Sequence, residues 1–401
     1  MASKAKRLIA LADRYGAHNY HPLPVVITRA KGVFVWDIEG RRYFDFLSAY
    51  SALNQGHLHP RIIAAVKNQL GRLTLTSRAF HNDRFGPFLK LLSQTTGKPR
   101  VMLMNSGAEA VETAIKAMRL WGYRRKGIPD DQAEIIVCEN NFHGRTTTIV
   151  GFSSDPGSRA GFGPATPGFK MIRYGDSSAL EQAIGPNTAG FLFEPIQGEA
   201  GVIIPAKGWL SDVRAICSAK NILMCADEIQ TGLGRTGKMF ACDHERVVPD
   251  IYILGKALSG GVYPISAMCA DPEVMETFTP GSHGSTYGGN PLACAVGTAA
   301  LGALIDERMP QKASRVGARL RALLETLSHP LLKEVRGRGL MIALEFKAPV
   351  RPLVELLLKR GLLAKDTHTQ TIRLAPPLIL TDAQADAAFA LIKKGVEDWT
   401  A

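Results

Sequence analysis

Short apolar runs alternate with amphipathic stretches through the middle of the chain. VMLM (101–104), EIIVC (134–138), GFLFE (190–194), ILMCAD (222–227) and DIYIL (250–254) are too short for helices and rich in bulky apolar residues. They predict buried strands. Between them, AEAVETAIKAMRLWGYRR (108–125) and LSDVRAICSAKN (210–221) carry a helical period. Strand–helix alternation of this kind predicts an α/β fold with a mainly parallel sheet covered on both faces. The last hundred residues change character. Helical runs at 292–305 and 314–327 are followed by GLMIALEF (339–346), a helix near 350–360, TIRLAPPLIL (371–380) and a terminal helix at 382–398. This predicts a smaller α+β domain. Near the start, VFVWDIEGRRYFDF (33–46) predicts a hairpin turning at EGRR. The expected division is an N-terminal segment (1–50) packing with the small domain, a large α/β domain (51–305) and the small C-terminal domain (306–401).

Composition narrows the function classes. At 401 residues, two domains are expected. Apolar residues make up 46% and charged residues 21%, as in globular proteins. No apolar run reaches the roughly 20 residues of a membrane helix. The opening MASKAKRLIALADRYG lacks the long apolar core of a signal peptide and reads as a short amphipathic helix of a cytoplasmic protein. The six cysteines form no CxxC pair and sit near no histidine at metal-ligand spacing, so buried free thiols and no metal are expected. The net charge is +12, but the basic residues are scattered and no aromatic-interleaved basic ladder occurs. Nucleic-acid binding, which needs clustered charge, is disfavoured.

Ligands of open α/β sheets bind at the carboxyl ends of the strands. After VMLM, Asn105-Ser106-Gly107-Ala108-Glu109 opens a helix. Its free N–H groups suit an anion, or Ser106 is simply the N-cap. After EIIVC, Phe142 offers a ring to stack on a planar group and Gly144 permits close approach, with His143 and Arg145 beside them. After GFLFE, Glu199 stands on a glycine-flanked loop and matters if a cation faces it. Asp227 ends an apolar strand, where a carboxylate is costly unless paired; a pyridinium N–H is one such partner. Lys256 follows a buried strand among small residues, where its charged form is disfavoured and its amine becomes reactive. HGSTYGGNP (283–291) reads as an anion-binding turn containing Thr286. A phosphate cradle, a stacking ring, an acid and an amine together fit pyridoxal 5′-phosphate (PLP).

The motifs ADEIQTGLGRTG, GKALSGG, EPIQGEAG and GSTYGGNP resemble those of the fold-type I, class III (ω-amino acid) aminotransferases along essentially the whole chain. YGAHNYHPLP (15–24), FDFLSAYSALNQGHLHP (44–60), TLTSRAF (74–80) and IRLAPPL (372–378) are most similar to the ornithine δ-aminotransferase branch. The resemblance implies a seven-stranded large-domain sheet and a set of residue roles. Lys256 would bond the cofactor aldehyde and shuttle protons. Asp227 would pair with the ring nitrogen, Gln230 would contact the phenolic oxygen, and Phe142 would stack. Ser106, Gly107, Ala108 and Thr286 would hold the phosphate, with Thr286 reaching across a homodimer interface. His143 would also border the cofactor; eukaryotic ornithine enzymes usually carry Trp there, so it does not separate subfamilies. Tyr20, Tyr50, Arg145, Glu199 and Arg373 would form a pocket for L-ornithine and 2-oxoglutarate, in proline biosynthesis or arginine catabolism. N-acetylornithine and 4-aminobutyrate remain alternative donors, and a non-catalytic PLP-binding regulatory module is the alternative outside enzymology.

Overall fold

The computed structural model describes residues 3–400; Met1, Ala2 and Ala401 lie outside it. A seven-stranded sheet forms the frame. Its order is Arg100–Met104, Ser266–Ala270, Ile251–Leu254, Leu223–Asp227, Thr188–Phe193, Glu134–Cys138 and Phe169–Ile172. Only Ser266–Ala270 runs antiparallel to its neighbours. The strands Thr188–Phe193, Leu223–Asp227 and Ile251–Leu254 are buried along their whole length. That is why they read as unbroken apolar runs rather than alternating ones.

Helices cover both faces. Helix Gly107–Trp121 buries Ala110, Val111, Ala114, Ile115 and Met118 against one face. On the other, Trp209 of helix Trp209–Ala219 meets Phe191 and Phe193 edge-on. Edge-on contact matches the positive rim of one ring to the negative face of the other. Helix Pro291–Asp306 is apolar on nearly every side and correspondingly buried. It packs along helix Pro60–Leu70 and joins the large sheet to the C-terminal elements.

The C-terminal part is an antiparallel sheet in the order Leu332–Arg338, Met341–Phe346, Thr371–Leu374, Lys365–Thr367. Helices Met309–Leu324, Arg351–Arg360 and Asp382–Glu397 pack with it. The hairpin Phe34–Asp37/Arg42–Asp45 forms as the sequence predicts, and Phe44 pairs in parallel with Leu362. The N-terminal residues therefore share a sheet with a segment more than three hundred residues away. Arg235 ties the parts together. Its buried guanidinium donates to the carbonyls of Leu340 (2.9 Å) and Pro376 (2.6 Å) and to Asn54 Oδ1 (2.6 Å). Among the described residues, no helix is long and apolar enough to cross a membrane, and no cluster of potential metal ligands occurs.

Candidate active site

Several strands deliver chemistry to one edge of the large sheet. Asp227 is the last residue of its strand; Glu194 and Lys256 follow theirs by one and two positions. Phe142 and His143 lie on the loop after Glu134–Cys138, and Gly107 opens the helix that follows Arg100–Met104. These residues, with Ala108, Gly144, Glu199, Ile229, Gln230 and Thr231, line a cavity of about 220 Å³.

Asp227 is 4% exposed. Its Oδ2 lies 2.7 Å from His143 Nδ1, and its Oδ1 accepts the N–H of Ile229 at 3.0 Å. An ionised carboxylate only accepts, so the His143 proton sits on Nδ1. Burial pulls the imidazole toward neutrality, but the hydrogen bond and charge of Asp227 outweigh it and raise the His143 pKa. His143 Nε2 is buried without a hydrogen-bond partner among the described residues.

Lys256 adopts a left-handed backbone conformation (φ 43°) at the start of a short 3₁₀ turn. Such a conformation costs a non-glycine residue about 1 kcal/mol or more and marks functional positions. Burial lowers the pKa of its amine, opposed by the carboxylates of Glu199 and Asp227. The sequence setting of Lys256 anticipates this direction.

A second group lies beside the first. Glu199 Oε1 is 2.7 Å from Arg373 Nη1, whose side chain is 3% exposed. Gln230 Nε2 donates to the same Glu199 oxygen at 3.0 Å, and Gln230 Oε1 accepts from Arg373 at 3.1 Å. Burial pushes the Glu199 carboxyl up, but the charge and hydrogen bond of Arg373 hold it below its ordinary value. The Arg373 guanidinium lies 5.8 Å from the Tyr50 ring centroid. Arg373 comes from the C-terminal sheet, so this group joins the two parts of the chain.

Arg145 and Tyr20 line an adjoining cavity of about 290 Å³ with Asn19, Thr147, Val150, Ser158 and Phe162. Arg145 forms no ion pair among the described residues; its guanidinium stands 5.6 Å from the Phe142 ring centroid. Tyr20 is 69% exposed at the rim and shares a larger cavity of about 580 Å³ with Tyr50. Ser106 is the N-cap of its helix, accepting the Glu109 N–H in a capping box. Its hydroxyl hydrogen and the N–H groups of Gly107 and Ala108 remain for an anion. Thr286 is exposed and lines none of these cavities.

Glu194 and Ile229 escaped the sequence reading. Glu194 is buried, its Oε1 accepting the Phe142 N–H (2.9 Å) and its Oε2 the Gly198 N–H (3.3 Å). The signal that exposes Asp227, a carboxylate closing an apolar strand, applies equally to Glu194. Ile229 packs on Gly107, where a Cβ would come within 3.0 Å of its Cδ1. Nothing local in the sequence marks that contact.

The class-III aminotransferase family model matches residues 15–396. The chain belongs to the class III aminotransferases. The ornithine aminotransferase of Brevibacillus brevis is 58% identical over 392 residues, 98% of each chain. A crystal structure of ornithine aminotransferase from Toxoplasma gondii superposes with a TM-score of 0.97 at 46% identity, covering 99% of this chain and 96% of that one. An acetylornithine aminotransferase from Elizabethkingia anophelis superposes with a TM-score of 0.90, also at 46% identity, covering 99% and 100%.

Class III aminotransferases are PLP enzymes, and this cavity suits that cofactor. It holds a primary amine with no hydrogen-bond partner among the described residues, a buried carboxylate, a flanking aromatic ring and free helix N–H groups. The glycine at position 107 keeps the helix mouth clear beside Ile229.

Proposed function

We propose that this aminotransferase moves the δ-amino group of L-ornithine to 2-oxoglutarate, giving glutamate-5-semialdehyde and glutamate. The semialdehyde then cyclises to pyrroline-5-carboxylate. The observation that carries this reading is the pair between half-buried Glu199 and buried Arg373 beside Lys256. The two substrates differ at the reacting carbon: that of 2-oxoglutarate bears a carboxylate and that of ornithine does not. One pocket serves both if its inner cation is available in one half-reaction and masked in the other. The names of the B. brevis and T. gondii relatives agree with this assignment.

PLP, when bound, supplies an aldehyde for the amino group and a ring that takes up electrons from the breaking C–H bond. Asp227 would hold a proton on the ring nitrogen. Phe142 would pack on one ring face, with His143 beside it, and Gln230 would lie on the side of the phenolic oxygen. Ser106, Gly107 and Ala108 would hold the phosphate through a hydroxyl and backbone N–H groups. Burial lowers the Lys256 pKa and so favours its free-amine form, which would accept the proton from the substrate carbon and return it. Arg145 clamps the distal α-carboxylate of ornithine, for which its planar fork is suited. Tyr20 receives the α-amino group, and Tyr50 narrows the passage. Glu199 neutralises Arg373 while ornithine reacts. It then swings away to let Arg373 take the α-carboxylate of 2-oxoglutarate.

N-acetylornithine is the competing donor, because the E. anophelis enzyme is as similar in identity as the T. gondii one. A free α-amine needs a polar partner such as Tyr20; an acetylated one does not. A homodimer is part of the same reading. Helix Lys4–Tyr15 buries no residue within its own chain, and Phe80 and Tyr287, the latter adjoining Thr286, are exposed. Thr286 then completes the phosphate site of the partner subunit. The cytoplasm is the proposed compartment.

Separate half-reactions test the assignment. Arg373→Ala is expected to retain the ornithine half-reaction while KM for 2-oxoglutarate rises at least about tenfold. An equal loss in both halves overturns the division of labour.

A further inference from the structure

The reading above gives no task to Glu194, although it is among the most deeply placed carboxylates of the cavity. Its two oxygens face two different loops. Oε1 accepts the N–H of Phe142, on the loop that carries the stacking ring and His143. Oε2 accepts the N–H of Gly198, next to Glu199. Gly198 has no spare room: a Cβ there would fall 1.7 Å from Gln230 Oε1. Gly198 thus lies directly against Gln230, which bonds both Glu199 and Arg373. The backbone of Glu194 is itself anchored, since the Tyr174 hydroxyl lies 3.1 Å from its carbonyl oxygen and 3.0 Å from that of Pro195.

We propose that Glu194 is a positioning residue, a two-sided clamp that fixes the Phe142 loop relative to the Glu199 loop. The inference rests on the assignments of Phe142 to the cofactor ring and Glu199 to the Arg373 gate. A carboxylate suits this task because it offers two acceptor oxygens and no donor. An amide in its place keeps one acceptor and turns an N–H group toward a backbone N–H, so one loop is released.

The clamp is sensitive to protonation. Burial pushes the Glu194 carboxyl up to about 7; His143 opposes the rise and Asp227 adds to it. Its other charged or titratable neighbours are Lys256 across the cavity, and Cys138 and Tyr174 from the strand side. Protonation weakens the carboxyl as an acceptor and converts one oxygen to a donor.

Amide hydrogen exchange of the PLP-loaded enzyme, read by mass spectrometry and corrected for intrinsic rates, tests the clamp. In the wild type, the segments containing Phe142 and Gly198 are expected to lose protection together as pH falls through about 7. In Glu194→Gln, at least one of the two is expected to be unprotected on both sides of that pH, with PLP bound on the order of tenfold more weakly. Glu194→Asp keeps the charge and is expected to retain the pH dependence. Helix Gly107–Trp121 serves as the unchanged reference. Wild-type protection and PLP affinity in Glu194→Gln overturn the proposal. Should that variant not fold, pH-independent protection of the two loops in the wild type overturns it equally. Neither readout uses ornithine, so failure of the substrate assignment leaves the clamp separately decidable.

Discussion

Glu199, which lines the cavity, and Arg373, 174 positions further along the chain, meet at 2.7 Å. Neither residue is costly there while the other is present. Removing Glu199 leaves the buried Arg373 charge uncompensated. Glu199→Ala therefore exposes Arg373 to the α-carboxylate of ornithine, drawing the α-amine toward the cofactor. The fraction of ornithine reacting at its α-amine is expected to rise at least about tenfold, measured by product analysis of the isolated half-reaction. Unchanged regioselectivity contradicts the gate.

The proposed reaction assigns its chemical step to Lys256 and Asp227. Lys256→Ala is expected to abolish turnover in a steady-state assay; substantial residual activity refutes the assignment. Asp227→Asn leaves His143 without its anionic partner as well as removing the ring-nitrogen acceptor. Its kcat is expected to fall at least about a hundredfold. An Asn variant with near wild-type kcat excludes Asp227 as the charged partner.

Glu228 is fully buried, accepts the N–H of Cys242 at 2.9 Å and pairs with Thr231. Burial pushes its carboxyl from 4.5 up to about 7. A carboxyl whose folded pKa is raised binds its proton more tightly in the native state. The stability this gives is fully present below pH 4.5 and is lost as pH rises through about 7. The loss is on the order of 3 kcal/mol. Glu228→Gln does not titrate, so the Tm difference between variant and wild type should shift in favour of the variant across that window. A constant difference by scanning calorimetry contradicts the assignment.

All six cysteines are free and buried, and burial raises the pKa of every one of their thiols. Thiolate is the reactive form, so both access and ionisation are suppressed. The native enzyme is expected to react with none of a disulfide reagent over a time in which the denatured chain reacts at all six positions. Fast native modification of even one thiol contradicts this.

The sequence exposed what local physics controls. Apolar runs became strands because burial on both faces leaves no alternation to hide them, and Asp227 and Lys256 stood out because charge at the end of such a run is costly. Two strands of the seven-stranded sheet went unread. Phe169–Ile172 is short and interrupted by Lys170, and Ser266–Ala270 is built of small residues with weak β preference. TIRLAPPLIL yields a strand only over Thr371–Leu374, since Pro376 and Pro377 cannot continue the ladder. Contacts between distant segments were not legible in the same way. The His143–Asp227 bond spans 84 positions, and the Glu194 clamp depends on backbone N–H groups that carry no residue signature.

The most direct test of the central claim is donor discrimination by the purified, PLP-loaded enzyme with 2-oxoglutarate. L-ornithine, N-acetyl-L-ornithine and 4-aminobutyrate are supplied separately, and pyrroline-5-carboxylate and glutamate are followed. Glutamate formation that is fast with free ornithine and accompanied by equimolar pyrroline-5-carboxylate is the expected result. Faster glutamate formation with either other donor contradicts the assignment of Tyr20 and Tyr50 to free ornithine.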